Sequence, residues 1–432
     1  SRPGEIQLHF QEVSMNRITI CKTIIQFIKN YITDPSKLEP HRAKNRFIRS
    51  RKLSMLHVIM YLFYSSKASM YQNLSSIRED LPQLDFPSVS KQALSKARQF
   101  ISPDLFKELF YLSVDLFYKH IPARKLWHGL HLFAVDGSKL ELPNSPSNFD
   151  FFGKLFGHPD PNRQFSMALS SIIYDVLDDY IVHASLHHYL ASERSAAIEH
   201  LKILKDLGIF HNSIVIFDRG YYSQDLFCHC TSQGHLCLMR LKDNFKISKN
   251  CSGDSLSIIS GITVRVIEVI LDNGSKEYLA TNLLDSSFTP DMFRELYFYR
   301  WPVETKYKEL KSRLAIEDFN GATSVSVFQE FYISMLTSNL SSLIKNDVDQ
   351  QLRISSKSSN KHRYQANSSY IIGRMKKIFP QILSCKTSLS SIDSLFLDAC
   401  RYRSQILPGR SFRRKKNKAK GRTHFRNLKV SF

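Results

Sequence analysis

At 432 residues the chain is too long for one small core, and two or three domains are expected. The hydrophobic fraction of 43% fits a folded protein, and no apolar run approaches the roughly 18 residues of a membrane span, so no membrane partner is expected. The net charge of +21 and pI near 9.6, with 12% aromatic residues interleaved with Lys and Arg, favour a polyanionic partner. Nucleic acid is the leading class, and an anionic membrane surface comes second.

The first twenty residues mix polar and apolar types and do not read as a signal peptide. Seven cysteines, an odd number spread over a long chain, read as reduced thiols of a cytosol. Cys228, His229, Cys230, His235 and Cys237 cluster in sequence, but their spacing matches no usual paired zinc-ligand pattern. They are read as structural, buried thiols and their neighbours.

Residues 1–125 read as a helical region. An apolar-rich helix spans 50–64. Residues 88–100 read as a short helix with Lys91, Gln92, Lys96, Arg98 and Gln99 exposed, after a connection bounded by Pro82 and Pro87. Ser102-Pro103 is an N-cap and N1 pair for the next helix. Two helices across a tight turn allow a helix-turn-helix reader of DNA, or an ordinary helical hairpin. Arg42, Lys44, Arg46, Arg49, Arg51 and Lys52 form a basic cluster with no acidic residue, suited to phosphates or to a solvated face.

From residue 130 the pattern changes. Residues 131–136 are an apolar run ending in Asp136-Gly137-Ser138, a buried strand whose end carries a carboxylate at a turn. Residues 165–176 and 180–189 are two strands joined by the acidic turn Asp178-Asp179. Residues 193–207 form a helix closed by Gly208. Residues 213–218 repeat the earlier device, an apolar run ending in Asp218, followed by Arg219-Gly220-Tyr221. A helix near 223–233 and a strand near 235–241 follow. Residues 242–288 alternate in polarity, with an Asp272-Asn273-Gly274 turn, and read as a β-rich insertion.

Thr289-Pro290 caps the next helical stretch. At about 100° per residue, Tyr297, Arg300, Glu304 and Lys311 share an arc of roughly 60°, beside an apolar stripe of Leu296, Tyr299, Val303, Leu310 and Leu314. Pro302 kinks this helix or starts it afresh. A further helix spans 326–343, a Ser-rich loop 355–369 and a helical segment 370–403. Residues 346–432 form a C-terminal region whose basic tail, 410–429, holds ten Lys or Arg and no acid.

The order strand–Asp, hairpin, helix, strand–Asp, insertion, helix–Glu is the informative constellation. Each aspartate alone reads first as a turn or cap residue, and Glu304 as the i, i+4 partner of Arg300. Together, three carboxylates raise one another's pKa unless a cation holds them. Hard divalent ions such as Mg2+ take such oxygen ligands. Two ions about 3.5–4 Å apart serve in-line phosphoryl transfer.

With these residues the sequence resembles the DDE transposases of the insertion-sequence-four family. That family's Tyr-x2-Arg-x3-Glu-x6-Lys signature is matched at Tyr297, Arg300, Glu304 and Lys311. Val135-Asp136-Gly137-Ser138 and Phe217-Asp218-Arg219-Gly220-Tyr221 resemble its two acidic motifs. The similarity covers about residues 85–345. It implies an α/β, ribonuclease H-like catalytic core over 126–345 with a β-rich insertion, flanked by helical regions, the N-terminal one binding DNA. It implies Asp136, Asp218 and Glu304 as catalytic ligands of two Mg2+ ions, with Mn2+ as substitute. It implies Tyr297, Arg300 and Lys311 as contacts to transposon-end phosphates, with Arg219 and Lys308 as further DNA contacts.

The expected partners are double-stranded DNA with terminal inverted repeats and target DNA. A homodimer is expected on two synapsed ends, in the prokaryotic cytosol or nucleoid. Some relatives stack a flipped base on an aromatic residue of the insertion. Here Phe245, Tyr278 or Phe288 would substitute for a Trp, since the chain's two are Trp127 and Trp301. A catalytically retired or domesticated DNA-binding protein and a structure-specific nuclease of the same fold are the alternatives.

Overall fold

The computed structural model describes residues 16–48, 52–121, 124–155, 164–271, 274–356 and 362–406. Arg49 and Arg51 of the basic cluster, Asp272 and Asn273 of the turn, and the basic tail lie outside the described residues.

The N-terminal helices are α1 (Arg17–Thr33), α2 (Met55–Tyr64), α3 (Met70–Asp80), α4 (Lys91–Arg98) and α5 (Asp104–His120). Helix α2 starts later than the apolar pattern suggests. The Ser54 hydroxyl accepts the His57 N–H while the His57 ring accepts the Ser54 N–H, a reciprocal cap. The expected cap at Ser102 moves by one residue: Pro103 takes the N-cap position. Arg98 corrects an expectation, since it is 1% exposed and not part of the open face of α4. Its guanidinium donates to Glu330 at 3.2 Å and to Gln329 at 3.1 Å, so a buried charge is paired and hydrogen-bonded.

The expected α/β core is one mixed sheet. Its elements are β1 (His131–Leu142), α6 (Pro146–Phe152), β2 (Lys154–Leu155), β3 (Phe165–Asp175), β4 (Tyr180–His188), α7 (Glu193–Asp206), β5 (Ser213–Phe217), α8 (Gln224–Ser232) and β6 (Leu236–Arg240). The strands β7 (Asp254–Ile259), β8 (Ile262–Ile270) and β9 (Lys276–Thr281) complete it. Among the described residues nine strands form this sheet.

Strands β4–β3–β1 are antiparallel neighbours, and β5 and β6 run parallel to β1 on its other side. Three antiparallel strands followed by two parallel ones is the ribonuclease H-like arrangement. All five residues of β5 are buried, as a central parallel strand with both faces covered requires. The insertion extends this same sheet, because β9 pairs with β6 from Leu238↔Thr281 to Arg240↔Leu279.

The remaining helices are α9 (Pro290–Phe298), α10 (Trp301–Ser312), α11 (Ser324–Ile354), α12 (Ser368–Leu383) and α13 (Ser390–Arg401). The expected helical segment over 370–403 consists of two helices, separated where Cys385 takes φ +61° in a Ser-rich turn. Helix α11 is the spine. Its buried Ser334, Thr337 and Ser341 hydroxyls each donate to the carbonyl four residues back, so polar side chains sit in the core at little cost.

Asn339 ties this spine to the sheet. Its side chain accepts the Ile181 N–H and donates to the Ile181 carbonyl, both at 2.9 Å. Replacing Asn339 with Leu orphans both backbone groups of buried β4. A loss of about 3 kcal/mol in urea unfolding is expected, and a loss below about 1 kcal/mol would contradict this pinning role.

Candidate active site

Strand β1 runs twelve residues, so the Asp136-Gly137-Ser138 segment is strand and not the turn expected from sequence. The register explains why the carboxylate still reaches an edge. Parallel pairing with β5 ends at Val135↔Phe217, so Asp136 is the first residue of β1 beyond that pairing. Asp218 is the first residue after β5. The two aspartates therefore stand at one level, where the parallel pairing of β1 and β5 ends, at the carboxyl edge of the parallel half of the sheet.

Helix α10 supplies the third carboxylate. Helix α9 is capped by Thr289, as expected, and ends at Phe298. A new helix begins at Trp301, with Arg300 as its N-cap and Pro302 in its first turn, where a backbone N–H has no helical partner to lose. Pro302 thus marks a fresh start and not a kink. Val303, Tyr307 and Leu310 are buried beneath the helix. The Tyr307 hydroxyl lies 2.9 Å from the Ser170 carbonyl and 3.3 Å from the Asp136 carbonyl, which fastens α10 to β1 beside Asp136.

The restart at Arg300 brings its side chain among the carboxylates. Its Nη2 donates to Glu304 Oε1 at 2.5 Å, and its Nε lies 3.9 Å from Asp218 Oδ1. That Nε is buried without a hydrogen-bond partner. The Tyr297 hydroxyl donates to Asp218 Oδ1 at 3.0 Å. Burial pushes the Asp136 carboxyl up to about 7; the Gly137 N–H and Arg300 oppose this, and Glu304 and Asp218 add to it. Burial acts the same way on Asp218, yet the Arg219 N–H, Arg300 and the Tyr297 hydroxyl together hold its pKa below the usual value.

Among the described residues no three His, Cys, Asp or Glu side chains are grouped to hold a metal ion. The guanidinium of Arg300 stands among these carboxylates instead. Hard carboxylate oxygens are the donors that Mg2+ accepts, so the set fits such an ion chemically once Arg300 turns away. In the cysteine cluster, Cys230 and Cys237 are buried in the core, Cys228 is half-buried, and His235 packs against Phe210.

The remaining candidates are at the rim. Lys311 turns inward, donating to the Lys139 carbonyl at 2.7 Å with Glu317 at 3.5 Å. Lys308 is exposed, its ammonium 5.2 Å from the Trp301 ring centroid. Arg219 is exposed on the turn after β5. Of the insertion aromatics, Phe245 packs on Tyr222 and Phe288 on Trp127, while the Tyr278 hydroxyl reaches Glu268. The exposed aromatics beside Arg300 are Phe298, 61% exposed, and Trp301, 47% exposed.

Three contributors were not foreseen from sequence. Tyr307 is one, although its place on the buried side of α10, three residues after Glu304, is a usable signal. Arg194 is another: it donates to the carbonyls of Gly220, Tyr221 and Tyr222 and so braces the Asp218 turn across the fold. Glu193 is the third. A Cβ on Gly137 would meet its carboxyl group at 3.1 Å, so glycine at that position lets α7 approach β1. No local pattern announces either α7 residue.

Residues 127–340 match the family described as "Transposase DDE domain". Transposase InsG for insertion sequence element IS4 from Escherichia coli (strain K12) is 23% identical over 292 residues, 62% of this chain and 64% of that protein. Putative transposase InsZ from the same organism is 24% identical over 146 residues, 34% of this chain and 47% of that protein. The chain spans less than two thirds of the length of either curated relative. Among solved structures, the cryo-EM structure of the piggyBac transposase synaptic complex with hairpin DNA aligns with TM-score 0.48 at 9% identity, over 93% of this chain and 88% of that one.

The raised Asp136 has a measurable consequence. The folded chain keeps a proton that the unfolded chain, with an ordinary value of 3.8, releases as pH rises toward 7. The carboxyl therefore costs more stability as pH rises through that window. In urea unfolding without divalent ions, the advantage of Asp136→Asn over the parent should grow between about pH 4 and 7, by on the order of 2 kcal/mol. A difference that stays constant with pH would contradict the buried, cation-poor setting.

Proposed function

We propose that the chain, whose residues 127–340 match the transposase DDE-domain family, cleaves DNA at the terminal inverted repeats of an insertion sequence and joins the 3′ ends to target DNA. One observation carries the reading: Asp136 and Asp218 stand at one level where the pairing of their adjacent strands ends, and Arg300 links Asp218 to Glu304. DNA is the partner class of the family, whose members use divalent metal ions. The net charge of +21 supplies the counter-charge for a polyanion.

The carboxylates of Asp136, Asp218 and Glu304 hold the ions. Two bound Mg2+, replaceable by Mn2+, would activate the attacking oxygen and stabilise the leaving one in an in-line displacement. The protein's own residues prepare this arrangement. Arg300 occupies the acidic cleft until a backbone phosphate offers its guanidinium a bidentate alternative. Tyr297 keeps its hydroxyl on Asp218 and fixes that carboxylate's orientation. Tyr307 holds the backbone of Asp136 against α10.

Lys311, released from the Lys139 carbonyl, joins Lys308 and Arg219 along the phosphates of the strand being cut. Trp301 and Phe298, more than the insertion aromatics, are open to stack an unpaired base. Helix α4 presents Lys91, Gln92 and Lys96 for contact with DNA farther from the cut. Water and then the freed 3′-OH act as nucleophiles at one site, with no covalent protein intermediate. Holding two ends at once calls for a second copy of the chain.

The test is incubation with Mg2+ or Mn2+ and DNA carrying the element's own terminal repeats. Specific 3′-end cleavage is expected, and Asp136→Ala, Asp218→Ala and Glu304→Ala should each lower it by at least about a thousandfold, some 4 kcal/mol. Undiminished cleavage by the Glu304→Ala protein would overturn the assignment.

A further inference from the structure

A cavity of about 580 Å³ lies away from the carboxylates, where α2, the loop after α10, α11 and α12 meet. Its walls carry Lys67, Lys376, Lys377 and Arg313 against two acids, Asp80 and Glu330. Neither acid is available to neutralise them fully. Glu330 already accepts from Arg98 and from the N–H groups of Asn320 and Gly321. Asp80 accepts the Tyr64 hydroxyl at 2.6 Å.

The ammonium of half-buried Lys376 donates to the Arg313 carbonyl at 2.9 Å, a neutral partner. Lys67 reaches Glu330 only at 3.9 Å. Partly desolvated ammonium groups around a hollow, with no full counter-charge, raise the energy of the empty state. Burial pushes Lys376 down to about 8, with Lys67 adding to the effect, and burial pushes Lys67 down as well. An anion in the hollow removes this cost. Gly373 of α12 leaves the wall open, with nothing within 4 Å of where a Cβ would stand.

The position suggests which anion. Arg313 lies two residues beyond Lys311, at the end of the helix that carries Glu304. Along the helix Arg313 stands about 13 Å beyond Glu304, nine residues at about 1.5 Å each, and its guanidinium, paired with Glu309 at 3.2 Å, lines this cavity. We propose that the cavity is a second phosphate-binding site, which takes a backbone phosphate of DNA already engaged at the acidic cleft. It rests on the DNA-binding reading above and extends it to a contact beyond the cut. Lys376 and Lys67 grip the phosphate oxygens, and Arg313 and Lys377 screen the mouth.

The full chain is tested with a duplex carrying the terminal repeat. Lys376→Gln should weaken binding roughly tenfold and make the salt dependence shallower by about one phosphate contact. Lys376→Arg should retain both. In the unaltered chain, acetylation of Lys376 at about pH 8, read by mass spectrometry, should slow about tenfold with duplex at roughly ten times its Kd. Millimolar inorganic phosphate alone should slow it less. This footprint decides the matter if Lys376→Gln does not fold.

Wild-type affinity and salt slope in Lys376→Gln, or unprotected Lys376 in the complex, would overturn the proposal. If Lys311→Ala still weakens binding in that case, the DNA reading survives without the second site. If the unaltered chain binds no duplex, both fall together.

Discussion

Asp136 and Asp218 stand at one level of the sheet, and both Asp218 and Glu304 of α10 are near enough to raise the Asp136 pKa, so these charges must be compensated. The Arg300 guanidinium meets that constraint, hydrogen-bonded to Glu304 and close to Asp218. Its position follows from backbone events far simpler than the site. Strand β5 stops one residue before Asp218, and α9 stops before Arg300 so that α10 can start with Pro302 in its first turn. The least compensated member is Asp136, whose pKa burial pushes up to about 7. A cation on one flexible side chain is also a reversible solution. In the proposed function a phosphate would recruit the same guanidinium, and the carboxylates would be left with a deficit that a metal ion can fill.

The rest of the molecule holds α10 steady. Buried Lys306, on the underside of α10, pairs with Asp179 and Glu309, both at 2.8 Å. Asp179 also pairs with Lys345 of α11, so the helix with Glu304, the β3–β4 turn and the spine share one ion network. The loop after α10 is pinned in turn, since Glu317 accepts the Glu141 N–H and Glu330 accepts the N–H groups of Asn320 and Gly321. Because Glu330 also binds Arg98, α4 of the N-terminal region is bonded to the segment that leaves the active-site helix. Removing one partner of such a buried pair costs several kcal/mol. The network therefore serves precision more than it adds stability.

Much of this was legible in the residues. Apolar runs ending in Asp136 and Asp218 marked two central strands, and the spacing of Tyr297, Arg300, Glu304 and Lys311 marked one face. These signals are local and periodic, which is why they survive without a structure. The strand end at Asp136 was misread because Gly137 and Ser138 look like a turn, whereas ten pairs with β3 carry β1 on to Leu142. Arg98 was misread because nothing near it in sequence discloses Glu330, 232 residues away. Tyr307, Glu193 and Arg194 act through contacts between distant elements. The cavity at Lys376 is invisible to sequence for the same reason, since four elements build it.

The central claim is that Asp136, Asp218 and Glu304 together hold divalent ions once DNA has drawn Arg300 away. Iron-directed backbone cleavage tests it most directly, with Fe2+ replacing Mg2+ in the DNA complex and hydroxyl radicals generated at the bound metal. The account predicts cuts at the three segments around Asp136, Asp218 and Glu304, suppressed by excess Mg2+ and much weaker without DNA. Cuts confined to other segments, or cuts at these three that ignore Mg2+, would contradict it.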